Sequence, residues 1–142
     1  MIKSLRWLPT RQYNDISLLA VRIISGGLML THGYPKYARL LEGNTSFADP
    51  IGLGEEFSLL LAVFAEFVCA ILVVAGLLTR LSVIPLILTM IVAIFVVHIH
   101  DPMSQKELGI FYLFLYTMLL VKGTGKLSLD YLFFKKAKKS RK

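Results

Sequence analysis

Four near-continuous apolar runs divide the chain, at about 16–34, 57–78, 81–98 and 108–121. A run of about 20 apolar residues is long enough to cross the hydrocarbon core of a bilayer as a helix. The apolar part of the fourth run reaches only about 21 Å, so we expect it to extend into flanking residues or to lie where the bilayer is thinned. The pattern predicts an all-α integral membrane protein, a four-helix bundle.

The connections between the runs differ in length and composition. Gly33 and Pro35 predict the end of the first helix, and the loop after it, rich in Gly, Asn, Asp and Pro, is expected to hold a short helix. Thr79 and Arg80 leave so little chain between the second and third runs that these must form a tight antiparallel hairpin. Pro85 falls in the first turns of the third helix, where proline costs little.

The runs make up one membrane domain at 16–125, and no internal repeat divides it. A basic, aromatic lead-in at 1–15 precedes this domain, and an interfacial segment with a polybasic tail at 126–142 follows it. A cleaved signal peptide is disfavoured because the first run ends in THGYPK, which lacks a small-residue cleavage pattern.

Basic residues are distributed unequally along the chain, which predicts its orientation. Three precede the first run, one lies in the 79–80 turn, and eight lie at or after Lys122, against Lys36, Arg39 and Lys106 in the other connections. Four spans put both ends on one side, and the positive-inside rule makes that side the cytoplasm. The prediction is a multi-pass protein of the bacterial inner membrane whose basic carboxyl tail contacts anionic lipids.

Composition excludes several classes of function. The chain is 56% hydrophobic and 18% charged, with a mean hydropathy of +0.66, which is too apolar for an ordinary soluble domain. The net charge of +7 does not indicate binding of nucleic acid. Half of the sixteen Lys and Arg residues lie at or after Lys122, at the end of the last apolar run. The single cysteine, Cys69, excludes an internal disulfide, a C-x-x-C redox pair and a thiolate zinc cluster. No phosphate loop, H-E-x-x-H or nucleophile elbow is present. We therefore predict no metal site and no catalysis by this chain alone.

Polar residues inside the apolar runs mark a candidate site. His32 and His98 lie about 25 Å from the cytoplasmic side, and Glu66 lies roughly 13 Å below the outer surface. Glu107 and Tyr112 fall in the first turns of the fourth span on the same side. Ionisable groups in a membrane usually face a bundle interior, and a buried carboxylate near imidazoles can relay protons or hold a polar headgroup. We predict an outer-half site formed by His32, Glu66 and His98.

Other unusual residues have plainer interpretations. Arg22 lies about 9 Å from the cytoplasmic side, where it either snorkels to the headgroups or bonds to a helix end or to Thr89. Gly26 and Gly27 are expected to allow close helix packing, and Cys69 is expected to pack. His100 and Asp101 either join the site or belong to a plain solvated loop, and the loop is the favoured interpretation. His32 and His98 as axial haem ligands are a disfavoured alternative, because only their similar depth supports it.

Motifs in all four runs, in order along the chain, resemble the DoxX family of small four-helix bacterial membrane proteins. The resemblance covers nearly everything from residue 22 to 132. It rests on R-x3-G-x5-HG-x2-K (Arg22, Gly26, His32, Gly33, Lys36), E-F-x8-G-L-L-T-R (Glu66 to Arg80), M-x2-A-x4-H (Met90, Ala93, His98) and G-x-G-x-x-S-L-D (Gly123, Gly125, Ser128, Leu129, Asp130). Family members commonly have glycines shortly after the glutamate, where Val68, Cys69 and Ala70 stand here.

The resemblance implies association with respiratory and redox systems, since relatives are named as small subunits of quinone-linked oxidoreductases or as membrane partners in oxidative-stress complexes. We predict an accessory membrane subunit of such a complex. His32, Glu66 and His98 would hold a quinol-like headgroup or transfer its protons, supported by Arg22, Lys36, Glu107 and Tyr112. The expected partners are respiratory or redox membrane subunits, or further copies of the chain. A non-catalytic scaffold or assembly factor is the first alternative, and a small transporter is the second.

Overall fold

A computed structural model describes residues 10–133. Four long helices follow one another: α1 (Thr10–Leu41), α2 (Glu55–Ala75), α3 (Thr79–Val97) and α4 (Met103–Lys122). A further helical turn begins at residue 129, and residues 10–133 contain no strand. The lead-in at 1–15 is described only from residue 10. The polybasic part of the tail, after residue 133, lies outside the described residues.

The chain is an all-helical membrane protein, as its sequence predicts. Within the described residues, three helices are long and apolar enough to cross a bilayer: Tyr13–Leu41, Glu55–Ala75 and Thr79–Val97. A fourth span in α4 stays a prediction, although Phe111 and Phe114 of that helix expose 57% and 66% of their surface. The orientation in the membrane also stays a prediction.

The prediction that the first helix ends at residue 34 is wrong, because α1 continues through Pro35 to Leu41. Proline removes one backbone hydrogen bond, but the segment beyond it is held by packing. The Tyr37 ring stacks on Phe67 with centroids 4.5 Å apart and planes 7° apart. The helix ends at Leu41, and Gly43, with a φ of 73°, closes a Schellman motif in which the Gly43 N–H donates to the Leu40 carbonyl and the Asn44 N–H to the Arg39 carbonyl.

The loop between α1 and α2 has no helix in residues 42–54, so the short helix expected there is absent. Asp49 organises the loop instead. Its carboxylate accepts the backbone N–H groups of Leu53 at 2.9 Å and Gly54 at 2.8 Å, and the Ser58 hydroxyl at 2.8 Å. These bonds, with Gly54 and Ser58 first, hold the pKa of Asp49 below its ordinary value, and they join the loop to the start of α2.

The second span ends at Ala75, earlier than the predicted residue 78, because Gly76 adopts a φ of 69° and closes another Schellman motif. The bonds run from Gly76 to Val73 at 3.1 Å and from Leu77 to Leu72 at 2.9 Å. Only residues 76–78 separate α2 from α3, so these helices form the hairpin expected from the sequence. Asp130 accepts the N–H groups of Leu78 and Thr79 at 2.8 and 3.2 Å and so caps α3.

The helices pack in sequence, α1 on α2, α2 on α3, α3 on α4 and α4 on α1. Their shared core consists of Met29, Cys69, Ala70, Val73, Val83, Leu86, Met90, Tyr112, Tyr116 and Leu119. Gly26 lies in the contact between α1 and α2, since a Cβ there would stand 2.6 Å from Val74 and 3.0 Å from the Ala70 carbonyl. Gly27 has open space beside it, so only one of this pair serves the packing expected of both.

The helix ends and their connections form two opposite sides of the molecule, which we call the Arg22 side and the His98 side. The Arg22 side holds the 76–78 turn and the segment after α4. The His98 side holds the 42–54 and 98–102 connections. The Asp15 carboxylate accepts the Lys126 N–H at 2.9 Å, so the two described ends of the chain lie together on the Arg22 side.

Candidate functional site

A cavity of about 230 Å³ opens on the His98 side, and all four helices contribute to its wall. Its polar lining includes the three residues predicted to form a site. The lining consists of Met29, His32, Lys36, Glu66, Met90, Ala93, Ile94, His98, Gln105, Lys106, Leu108, Gly109 and Tyr112. We call this the Glu66 cavity. It combines ionisable groups with apolar side chains, as small-molecule sites commonly do.

The central feature of the cavity is an ion pair between α1 and α2. Lys36 Nζ lies 2.5 Å from both carboxylate oxygens of Glu66. Glu66 is 5% exposed, and the Lys36 side chain is 25% exposed. A carboxylate so buried needs a partner, and the lysine supplies it. The sequence predicts Lys36 only as a supporting residue of the site.

Gly33 brings the two helices close enough for this pair to form. A Cβ on Gly33 would overlap the carbonyl oxygen of Glu66 and stand 2.7 Å from the Phe67 nitrogen. Only a glycine lets α1 approach the α2 backbone here. Lys36, almost one turn further along α1, then reaches the Glu66 carboxylate.

Both α2 and α3 widen into π-helical turns beside the cavity. Glu66 lies within the turn Phe64–Cys69, and His98 directly follows the turn Ala93–Val97. The His98 N–H donates to the Ala93 carbonyl at 2.9 Å, a spacing of five residues. Such turns rotate the following side chains relative to a regular helix and are frequent at functional sites.

His98 is oriented by a carboxylate of the next connection. Its Nδ1 lies 2.7 Å from Asp101 Oδ2. With an ionised Asp101, Nδ1 carries the hydrogen, which leaves Nε2 of a neutral ring as the proton acceptor. Asp101 and His100 both lie in the 98–102 loop, as expected, and the Asp101 side chain is 40% exposed while it contacts His98.

His32 and Tyr112 form the side of the cavity between α1 and α4. Their rings meet edge to face, with centroids 6.3 Å apart. Tyr112 is 4% exposed and stacks on Tyr116 with centroids 5.8 Å apart. The Tyr116 hydroxyl donates to the Ser25 carbonyl at 3.2 Å. Tyr112 therefore lines the cavity and, together with Tyr116, is also part of the shared core.

Two predicted supporting residues lie outside the Glu66 cavity. Glu107 is exposed and does not line it. Arg22 lies on the opposite side, where its guanidinium donates to the carbonyls of Thr124 at 3.1 Å and Leu127 at 2.6 Å. It is 1% exposed, so the snorkelling interpretation is wrong, and the carbonyls that it binds belong to the non-helical segment 123–128 and not to a helix end. Thr89 bonds instead to the Pro85 carbonyl at 2.9 Å.

Sequence reasoning missed how the last motif serves the Arg22 side. Gly76 leaves space that Arg22 fills, since a Cβ there would overlap the guanidinium and approach Ser128 at 2.7 Å. The Asp130 N–H donates to the Gly76 carbonyl at 2.9 Å, while its side chain caps α3. The spacing G-x-G-x-x-S-L-D was visible, but no periodicity tells which distant helix such a segment caps.

The candidate site has no obvious metal centre. Among residues 10–133, no group of three or more His, Cys, Asp or Glu side chains is arranged to hold a metal ion. Cys69 is 2% exposed and packs within the apolar core. What the cavity offers is therefore one buried ion pair, two imidazoles and a phenol beside apolar side chains.

Comparison with known proteins gives the family. The DoxX family model matches residues 17–99. A Bacillus subtilis protein named "Putative oxidoreductase CatD" is 32% identical over 122 residues, covering 85% of this chain and 90% of that protein. A Haemophilus influenzae protein named "Uncharacterized protein" is 29% identical over 136 residues, covering 88% of this chain and 96% of that protein. No solved structure matches the chain. The chain belongs to the DoxX family.

Proposed function

We propose that this protein is an accessory integral membrane subunit of a quinone-linked or redox-stress complex in the bacterial inner membrane. In this proposal the Glu66 cavity takes a quinol-like headgroup, and a partner subunit supplies the redox centre. The cavity faces the outer side, and both ends of the chain are cytoplasmic. The name of the Bacillus subtilis relative refers to an oxidoreductase, which supports a redox setting for the family.

The observation that carries the proposal is the buried pair of Lys36 and Glu66 in the wall of a cavity that also holds His98 and Tyr112. An ammonium donates hydrogen bonds to a carbonyl oxygen, and a carboxylate accepts one from a phenolic hydroxyl. A quinone headgroup and its reduced form present these two groups in turn. The same pair of side chains can therefore hold both redox states.

The size and lining of the cavity favour a single ring. Its volume of about 230 Å³ lies below the range of about 300–1,000 Å³ that is usual for drug-sized ligands. Met29, Met90 and Ile94 supply apolar contacts for the ring. A long isoprenoid tail would extend from the cavity into the lipid.

The proposed chemistry assigns roles to this chain's own residues. Glu66 and the Nε2 atom of His98 accept the two protons that leave a quinol when it is oxidised. Lys36 then donates to the carbonyl oxygen that remains, and His98 passes its proton outward past Asp101. The two electrons go to the redox centre of the partner subunit. This chain binds, orients and deprotonates, and it transfers no electrons itself.

The test compares quinone bound to purified variants. Wild-type protein, Glu66→Gln and the control Glu107→Gln are purified from membranes in mild detergent, and co-purifying quinone is extracted and quantified per mole of protein. We expect Glu66→Gln to lose most of the quinone while its membrane abundance stays normal. Glu107→Gln should match the wild type, because Glu107 is exposed and does not line the cavity. Equal quinone in all three proteins would refute the proposal.

A scaffold function is the second candidate, and one observation favours it. The ion pair of Lys36 and Glu66 and the close contact at Gly33 join α1 to α2 at one level. Such contacts can fix the position of one helix along the other. In that case Glu66→Gln should reduce membrane abundance, and the residual protein should carry as much quinone as the wild type. The two measurements together separate the candidates.

A further inference from the structure

A shallow groove of about 480 Å³ lies on the Arg22 side, remote from the Glu66 cavity. It runs between the start of α3 and the chain that follows α4. Its wall includes the bases Arg80 and Lys122, the turn residues Gly123 and Thr124, and the apolar residues Leu78 and Leu81. We call it the Arg80 groove.

The two bases of the groove are presented by different helices. Arg80 belongs to the first turn of α3, and its Nη2 donates to the Val121 carbonyl at 3.3 Å, which holds the guanidinium across the end of α4. Gly123 lies beside this guanidinium, since a Cβ there would be in van der Waals contact with Arg80 Nε at 3.5 Å. Lys122 is the exposed last residue of α4. The remaining donors of both bases are available to an anion.

One acidic residue, Asp130, also lines the groove, and its negative charge opposes the positive charges of Arg80 and Lys122. Its two carboxylate oxygens are engaged by the N–H groups of Leu78 at 2.8 Å and Thr79 at 3.2 Å. The carboxylate is thus directed at the first turn of α3, whose free N–H groups carry partial positive charge. The bases outnumber it, so the groove retains a positive charge.

Apolar residues place the groove at the boundary of the membrane. Leu78 and Leu81 expose 51% and 64% of their surface beside the bases. Leu78 directly precedes α3 and Leu81 lies in its first turn, and α3 is one of the helices long and apolar enough to span a bilayer. The end of a span lies at the level of the lipid headgroups.

We propose that the Arg80 groove is a binding site for an anionic phospholipid. Arg80 and Lys122 hold its phosphate, and Leu78 and Leu81 contact the glycerol and the first carbons of its acyl chains. Arginine and lysine are the usual partners of phosphate oxygens, and leucine faces suit the adjoining hydrocarbon. The proposed site is formed by residues 78–81, 122–124 and 130 and does not depend on the function of the Glu66 cavity.

The experiment measures lipid retained by the full chain. Wild-type protein and variants are reconstituted in nanodiscs of phosphatidylglycerol and phosphatidylcholine, released into detergent, and analysed by native mass spectrometry. The variants are Lys122→Gln, Arg80→Gln with Lys122→Gln, and the control Lys126→Gln. Lys126 is exposed on the same side but does not line the groove. A further variant replaces Lys135, Lys136, Lys138, Lys139, Arg141 and Lys142 by glutamine.

We expect one retained phosphatidylglycerol in the wild type, in Lys126→Gln and in the tail variant. Each groove base removed should lower that retention about fivefold, the factor that corresponds to about 1 kcal/mol per base near anionic lipid. Lys122→Gln keeps the bond of Arg80 to Val121, so its effect does not depend on the fold being disturbed.

Three results would overturn the proposal. The first is that the groove variants retain as much phosphatidylglycerol as the wild type. The second is that only the tail variant loses it. Alternatively, inorganic phosphate at millimolar concentration raises the Tm of lipid-free protein, and the groove substitutions abolish this rise, which would assign the site to free phosphate.

Discussion

Lys36 Nζ lies 2.5 Å from both carboxylate oxygens of Glu66, and this contact joins two helices whose backbones meet at Gly33. The pair exists because α1 does not stop at Pro35 but continues far enough to carry Lys36 over α2. The buried glutamate thus has a fixed cation, and His32 and His98 line the same cavity. Under the proposed function, a quinol-like headgroup that enters the cavity competes for this ion pair.

Replacing Gly33 by alanine should destabilise the protein. The added Cβ overlaps the Glu66 carbonyl, and overpacking of this kind costs about 1–3 kcal/mol. Gly27→Ala is the matched control, because Gly27 lies in the same helix with open space beside it and alanine favours a helix by about 1 kcal/mol. In mild detergent the Tm should fall for Gly33→Ala and stay equal or rise for Gly27→Ala. Equal Tm values for the two variants would contradict the close contact.

Arg22→Lys should also lower stability, even though the charge is kept. Arg22 bonds two carbonyls at once and is 1% exposed, and a lysine cannot reproduce this fork. Loss of one hydrogen bond from a charged group costs about 1.5–3 kcal/mol. Arg39→Lys is the control, since Arg39 is less buried and bonds one carbonyl, that of Ser46. The measurement is the Tm of both variants, and a smaller loss at Arg22 than at Arg39 would be the contrary result.

The stability of the 42–54 loop should depend on pH through Asp49. Hydrogen bonds in the folded protein lower its pKa below the ordinary value of 3.8, so the folded state binds this proton less readily than the unfolded state. The stabilisation is fully present above pH 3.8 and is lost as the pH falls through the folded pKa. Titrating the Tm of wild type and Asp49→Asn should show a gap that closes in acid. A gap independent of pH would exclude this role of the carboxylate.

Much of the fold follows from patterns within the sequence. Each apolar run corresponds to a helix, the hairpin between α2 and α3 was fixed by the short 76–78 connection, and His32, Glu66 and His98 line one cavity as their depths predicted. Depth could be counted because a helix advances by a constant rise per residue. Local periodicity is sufficient for such features.

What the sequence did not reveal depends on contacts between distant residues. Pro35 ends many helices, but here the stacking of Tyr37 on Phe67 and the bond from Lys36 to Glu66 hold the turn beyond it. Arg22 was consistent with either a lipid or a protein partner until Thr124 and Leu127 were seen to accept its hydrogen bonds. In each case tertiary packing overrides a local signal that was correctly identified.

An accessory subunit should be inert without its partner. Purified protein supplied with a quinol and a soluble electron acceptor should show no oxidation above the rate without protein, because the proposed site removes protons and transfers no electrons. Absorbance of the quinone product follows the reaction. Oxidation that depends on the protein and disappears in Glu66→Gln would mean that this chain is itself the catalyst.

The last prediction separates the structural from the binding role of the ion pair. Lys36→Met leaves the Glu66 carboxylate buried without its cation, at a cost of about 3–5 kcal/mol. Glu66→Met should cost less, because the Lys36 side chain is 25% exposed and can turn towards water. The double variant Lys36→Met with Glu66→Met removes both charges and should regain most of the lost stability, since apolar replacement of a buried pair is often neutral.

The double variant then tests the cavity without the complication of unfolding. If the pair binds a quinol-like headgroup, this variant should reach wild-type abundance and Tm yet carry several-fold less quinone. If the pair only registers α1 on α2, it should carry as much quinone as the wild type. Native mass spectrometry of the membrane extract adds a second readout, because a scaffold would keep its partner subunits in the double variant. Restored stability with normal quinone content would leave the ion pair with a structural role alone.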